Sequence, residues 1–275
     1  MFDFTSLLTT PKLFTAPKYA AVHTKTSVNK NQVSARAHSM NSVATKVSHA
    51  LTSAHKYKLL YELTQKRKQN TPENAYSIAD FFCGAYECDW VSPYTKSASN
   101  LNSEVMIILQ DWASKDYLCR GFKPELVSLG LDPKLPTSRQ LNTLLSHHFN
   151  LTLKETFATN LYPFIKQGTL SAAMTWRSLL DCAKQYALPQ IEIINPKVTI
   201  CLGLNVFNAL SVAAGGIRYK CLNDAIQAPF LLVFKNGQCS YVFAQAHTGF
   251  HGQSSRNRIE PQQVNLDWAA MLKHS

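Results

Sequence analysis

Acidic residues are scarce in this chain. Seventeen Asp and Glu stand against twenty-eight Lys and Arg over 275 residues, a formal net charge of +11, and that balance favours a polyanionic partner. Long apolar runs are missing as well: none approaches the roughly 18 residues of a membrane-spanning helix, and nothing resembles the apolar core and cleavage site of a secretory signal. There is no P-loop, no dinucleotide fingerprint, no internal repeat and no CxxC pair, so the usual sequence marks of nucleotide-cofactor and dithiol chemistry are lacking. The seven cysteines (Cys83, Cys88, Cys119, Cys182, Cys201, Cys221 and Cys239) are an odd number. Without a secretory context they read as reduced, buried packing thiols in a cytosolic compartment.

Glycine is absent from the first seventy residues, and acids there are limited to Asp3 and Glu62. Eleven Lys and Arg fall in the same stretch, whereas the rest of the chain holds seventeen basic against fifteen acidic residues. The basicity is therefore an amino-terminal property. Ser, Thr, Asn and Lys dominate between Tyr19 and Ala50 with few large apolar residues, a composition that leaves at least part of the segment disordered. Lys56 to Asn70, with Leu59, Leu60 and Leu63 before Lys66-Arg67-Lys68, reads as a short basic helix suited to phosphate backbones. An organellar transit peptide and a merely solvated tail are the competing readings. The division expected is residues 1–70 as a basic extension and 71–275 as one catalytic domain.

Within that domain, polar residues arrive at the ends of apolar runs. Val105-Met-Ile-Ile-Leu closes on Gln110-Asp111, Phe157-Ala closes on Thr159-Asn160, Val198-Thr-Ile-Cys-Leu202 closes on Gly203, and Tyr241 to Ala246 closes on His247. Leu170 to Leu188 carries Met174, Leu179, Leu180 and Ala183 near helical spacing, and Asn205 to Ala214 reads as a second helix. Strands alternating with helices predict a parallel sheet covered on both faces. Ligands of such sheets bind beyond the carboxyl ends of the strands, where these polar residues would lie. Asn236-Gly237 between apolar runs predicts a hairpin that adds an antiparallel strand. Each polar residue has a plainer reading too: Asp111 as a cap, Asn160 as a turn residue, His247 as a structural histidine.

Taken together, Gln110-Asp111, Thr159-Asn160-Leu161, Pro196 to Gly203 and His247 resemble the motif series of the uracil-DNA glycosylase superfamily, in order and spacing, over about residues 100 to 260. The resemblance implies a three-layer α/β/α fold with a central, mainly parallel four-stranded sheet. It also implies a monomeric hydrolase that everts a pyrimidine from DNA and cleaves its glycosidic bond, without a metal or other cofactor. Asp111 would stabilise the oxocarbenium-like sugar and activate water, and His247 would donate to the departing base. Gln110 and Asn160 would line the base pocket with Phe122 as stacking face and Tyr117 as its substitute. Phe250 would wedge into the duplex, while Gln253, Ser254, Ser255, Arg256 and Arg258, in a loop made permissive by Gly249 and Gly252, would hold phosphates.

Departures from the family pattern carry their own expectations. Leu109 stands where the family has Gly and Trp112 where it has Pro, which alters the water-activating loop. Ala113 replaces a Tyr that blocks C5 in the uracil-specific branch, so a C5-modified pyrimidine is expected to fit. Of the four cysteine ligands in the iron–sulfur branch, Cys182 matches one, Cys83 and Cys88 imitate two with the wrong spacing, and Phe164 occupies the last. No cluster is therefore expected. Repair of deaminated cytosine, or excision of hypermodified bases from phage DNA, would be the purpose of a cytoplasmic, nucleoid-associated enzyme. A non-catalytic nucleic-acid-binding protein and a small-nucleoside hydrolase are the alternatives.

Overall fold

The structure, a computed structural model, describes residues 19–23 and 51–273. The described residues form eight strands: β1 (Ala20–His23), β2 (Ala75–Tyr76), β3 (Val105–Asp111), β4 (Phe157–Tyr162), β5 (Ile165–Lys166), β6 (Val198–Leu202), β7 (Phe230–Val233) and β8 (Cys239–Gln245). The main sheet has the order β1-β7-β8-β6-β3-β4, and β2 pairs with β5 apart from it. Strands β8, β6, β3 and β4 run parallel, whereas β7 and β1 add antiparallel edges. The four expected strands thus form the parallel part, but the sheet is six-stranded rather than four-stranded. Gly237 at φ +80 turns β7 into β8, as Asn236-Gly237 predicts. The sixth strand comes from Ala20–His23, inside the stretch expected to be partly disordered.

The parallel strands are near-continuous apolar runs because both faces are covered. On one face lie α1 (Ser53–Gln69), then α5 (Trp176–Cys182) and α6 (Leu188–Ile194), joined by a π-helical turn at Ala183–Ala187, and α7 (Leu204–Ala213). They bury Leu60, Leu179, Ile191, Phe207 and Leu210 against Met106, Ile108 and Phe157. The other face is covered by α4 (Pro136–Phe149) and α10 (Gln263–Met271), whose Leu141, Leu145 and Trp268 meet Ile107, Leu109 and Phe243. Between these elements α2 (Lys115–Leu118) and α3 (Pro124–Ser128) follow β3, α8 (Leu222–Ile226) precedes β7, and α9 (Phe250–Asn257) follows β8. No helix among the described residues is long and apolar enough to cross a membrane.

Helix α1 starts at Ser53, where Thr52 caps it by accepting from His55 N, and it belongs to the body of the domain. Residue 70 is therefore not a boundary in packing. Arg67 is buried in a bidentate pair with Glu87, and Lys56 Nζ donates to the carbonyls of Leu101 and Ile194 at 2.8 and 2.9 Å. Two of the five cations of this basic helix thus hold the fold together and do not face phosphates. Lys25 to Lys46 lie outside the described residues. The buried thiols are Cys182 and Cys201, and Cys88 is half-buried; Cys83, Cys119, Cys221 and Cys239 are exposed, contrary to the expectation of buried packing cysteines.

Candidate active site

Strand order reverses between β3 and β6, since β4 lies on one side of β3 and β6 on the other, and a crevice opens beyond the carboxyl ends at such a point. Into it β3 carries Asp111, paired in register with Tyr162 of β4. Two residues beyond β8 stands His247. Gly203, at φ +108, ends β6 with its N–H on Gln245 O at 2.8 Å. Asp111 and His247, far apart in sequence, line one cavity of about 180 Å³ together with Tyr94, Trp112, Tyr117, Ser138 and Leu170.

The Asp111 carboxylate is held from two sides. Its Oδ2 pairs with Lys166 Nζ at 2.9 Å, and its Oδ1 accepts from Gln110 Nε2 at 3.1 Å. Gln110 in turn accepts from Asn205 Nδ2 at 3.2 Å. Gln110 therefore orients the acid and is not among the residues lining the cavity.

His247 is oriented by its own chain. The Gly249 N–H donates to Nδ1 at 3.0 Å, so Nδ1 is an acceptor and the ring proton of the neutral imidazole sits on Nε2. Gln253 Nε2 donates to the His247 carbonyl at 3.0 Å. Although the ring opens to solvent at the cavity mouth, the protein mass around it disfavours charge. Burial lowers its pKa from the ordinary histidine value, Asp111 opposes that shift, and Lys166 adds to it. Both glycines of the segment serve this histidine. A Cβ on Gly249 would lie 3.0 Å from Nδ1, and one on Gly252 would lie 2.2 Å from the His247 carbonyl oxygen. The close approach they permit is to His247 itself.

The remaining residues divide. Asn160 is fully buried, its Oδ1 accepting from Ser92 Oγ at 2.6 Å. Its Nδ2 has no partner among the described residues. It neighbours Leu109 in register but does not line the cavity. Phe122 is also elsewhere, half-exposed and stacked on Tyr86 at 5.8 Å; the aromatic walls are Tyr94, Trp112 and Tyr117. Ala113 is turned into a separate cluster with Ile78, Phe81, Tyr86 and Ile165. It opens no space at the cavity, where its neighbour Trp112 forms the wall with Nε1 donating to Gly130 O at 2.7 Å.

The segment expected as a phosphate-binding loop is helix α9. Arg256 is buried, paired with both oxygens of Asp267 at 2.6 and 2.9 Å and donating to Asn223, which removes it from any phosphate surface. Gln253 is committed to the His247 loop. Ser255 and Arg258 are exposed, Ser254 is partly so, and Phe250 is 71% exposed.

Lys166, Tyr94 and Ser138 are site residues that the sequence reading missed. Lys166 had one signal, a lone cation closing the apolar run Leu161 to Ile165, because a lysine buried in such a run needs an anion or carbonyls to meet it. Burial pushes the Tyr94 phenol up to about 12, with Ser138 acting in the opposite direction. Compared with known proteins, the chain matches no family model and no curated sequence.

Proposed function

We propose that the chain is a monofunctional DNA glycosylase that hydrolyses the N-glycosidic bond of an everted pyrimidine, uracil or a C5-modified one. The observation that carries this reading is the pairing, in one cavity beyond the parallel strands, of a fixed carboxylate with a neutral imidazole whose Nε2–H is left to donate. The motif resemblance supplies the reaction. As C1′–N1 breaks, positive charge gathers on the sugar and negative charge on the base. Asp111 orients a water whose oxygen joins C1′, and His247 Nε2 donates to a carbonyl oxygen of the leaving base. The water's proton ends in the products, and no redox partner is consumed.

Lys166 bears on the outcome at the abasic site. Its three ammonium protons meet Asp111 Oδ2 and the carbonyls of Leu170 and Ala172, so no free amine is available for Schiff-base chemistry and the strand should stay intact until alkali is added. With Ala113 away from the cavity, tolerance at C5 depends on Trp112 and Leu109. The substrate panel is therefore uracil, thymine mispairs, and 5-hydroxymethyl and glucosylated cytosine.

The test is mass spectrometry of bases released from such duplexes and from genomic and phage DNA. Asp111→Ala and His247→Ala should each lower release about 100- to 1,000-fold. Equal release from wild type and both variants would remove these residues from the chemistry, and release from none of the substrates by wild type would sink the reading.

A further inference from the structure

Lys166 has surroundings that a surface lysine lacks. It lies in β5, 3% exposed, and its Nζ touches Asp111 Oδ2 at 2.9 Å, Leu170 O at 2.5 Å and Ala172 O at 3.2 Å. An ammonium has three protons, and all three are used. The contacts tie the acid at the end of β3 to a turn at Gly168, φ +73, that leads into Leu170 on the cavity wall. The Asp116 N–H donates to Gly168 O at 3.1 Å, which fastens the same turn to α2.

We infer that Lys166 is a positioning residue for the Asp111–His247 site: its ammonium clamps the Asp111 carboxylate in one orientation and, through the Leu170 and Ala172 carbonyls, holds residues 168–172 as the wall of the cavity. The catalytic meaning of the clamp rests on the glycosylase reading; the clamp itself does not. Its charge also matters. Asp111 and Lys166 together are net neutral, so His247 does not face an uncompensated carboxylate that would draw a proton onto Nδ1 and break the bond from Gly249. The charged groups that bear on the His247 ring are Asp111 on β3, which favours its protonation, and Lys166 on β5, which opposes it. Asp132 shares the cavity but is engaged by Tyr117 Oη at 2.9 Å and Lys123 Nζ at 3.6 Å.

The experiment uses the full chain with labelled histidine, His247→Gln assigning the signal. In Lys166→Met the His247 titration should move to higher pH and amide exchange at residues 168–172 should speed up. Lys166→Arg, which keeps the charge, should restore the titration. Base release by Lys166→Met should fall on the order of 100-fold in kcat, the scale of an ångström-size misplacement, with KM for DNA little changed. A folded Lys166→Met protein whose His247 titration and exchange match wild type overturns the clamp. Should that variant not fold, Asp111→Asn decides: it should move the His247 titration to lower pH and loosen residues 168–172, and no change in either overturns the proposal. Absence of base release in wild type would dispose of the glycosylase reading while the titration and exchange arms still decide the clamp.

Discussion

At the scale of single residues, His247 depends on two glycines and one lysine. Because its folded-state pKa lies below the ordinary histidine value, the ring stays neutral to a lower pH than a free histidine, and protonation then puts a second hydrogen against the Gly249 N–H. Base release should therefore persist below pH of about 6.5 and fall as His247 charges, which a pH profile of kcat will show; a limb above that value contradicts the assignment. For stability the sign is the same: the unfolded chain takes this proton first, so the site loses stability as pH falls through that window. Gly252→Ala puts a Cβ against the His247 carbonyl oxygen, backbone that cannot swing aside. It should lower kcat on the order of 100-fold by displacing the imidazole and should lower the melting temperature. An unchanged kcat would mean that the ring position is not what matters.

At the scale of elements, α9 shows why residue type alone misassigns a role. Arg256 and Arg258 are two residues apart, yet one points inward to Asp267 and the other outward, because neighbouring positions on a helix face different ways. Arg256→Ala strands a buried carboxylate and should destabilise the fold by about 3–5 kcal/mol, measured by denaturant unfolding. It should leave the salt dependence of DNA binding alone at temperatures where the variant is folded. Arg258→Ala should do the reverse, lowering the slope of log affinity against log salt by up to about 0.9. The strand ends at Asp111 and His247 and the turn at Asn236-Gly237 were legible from local pattern. Helix α4 was not, since Leu141, Leu144 and Leu145 sit among polar residues whose burial only α10 and the sheet explain.

At the scale of the whole molecule, the sheet draws on the amino-terminal region for its sixth strand. Ala20–His23 covers the edge of β7 in register from Val233 to Phe230, and Tyr19 Oη donates to Glu192 at 3.1 Å. An uncovered edge strand is a template for association. Deleting residues 1–23 should therefore lower the melting temperature and promote self-association in light scattering. A truncated protein as stable and monodisperse as the full chain would show that β1 adds nothing.

By itself the sequence determined the strands of the parallel sheet, the alternation with helices and the arrival of Asp111 and His247 at strand ends, because each follows from apolar period and local turn chemistry within a few residues. The cavity's composition was a tertiary decision. Whether Arg256 meets a phosphate or Asp267, whether Ala113 or Trp112 forms a wall, and which lysine meets Asp111 depend on contacts between segments many residues apart. Side-chain direction there is set by whole-domain packing, which no local spacing encodes.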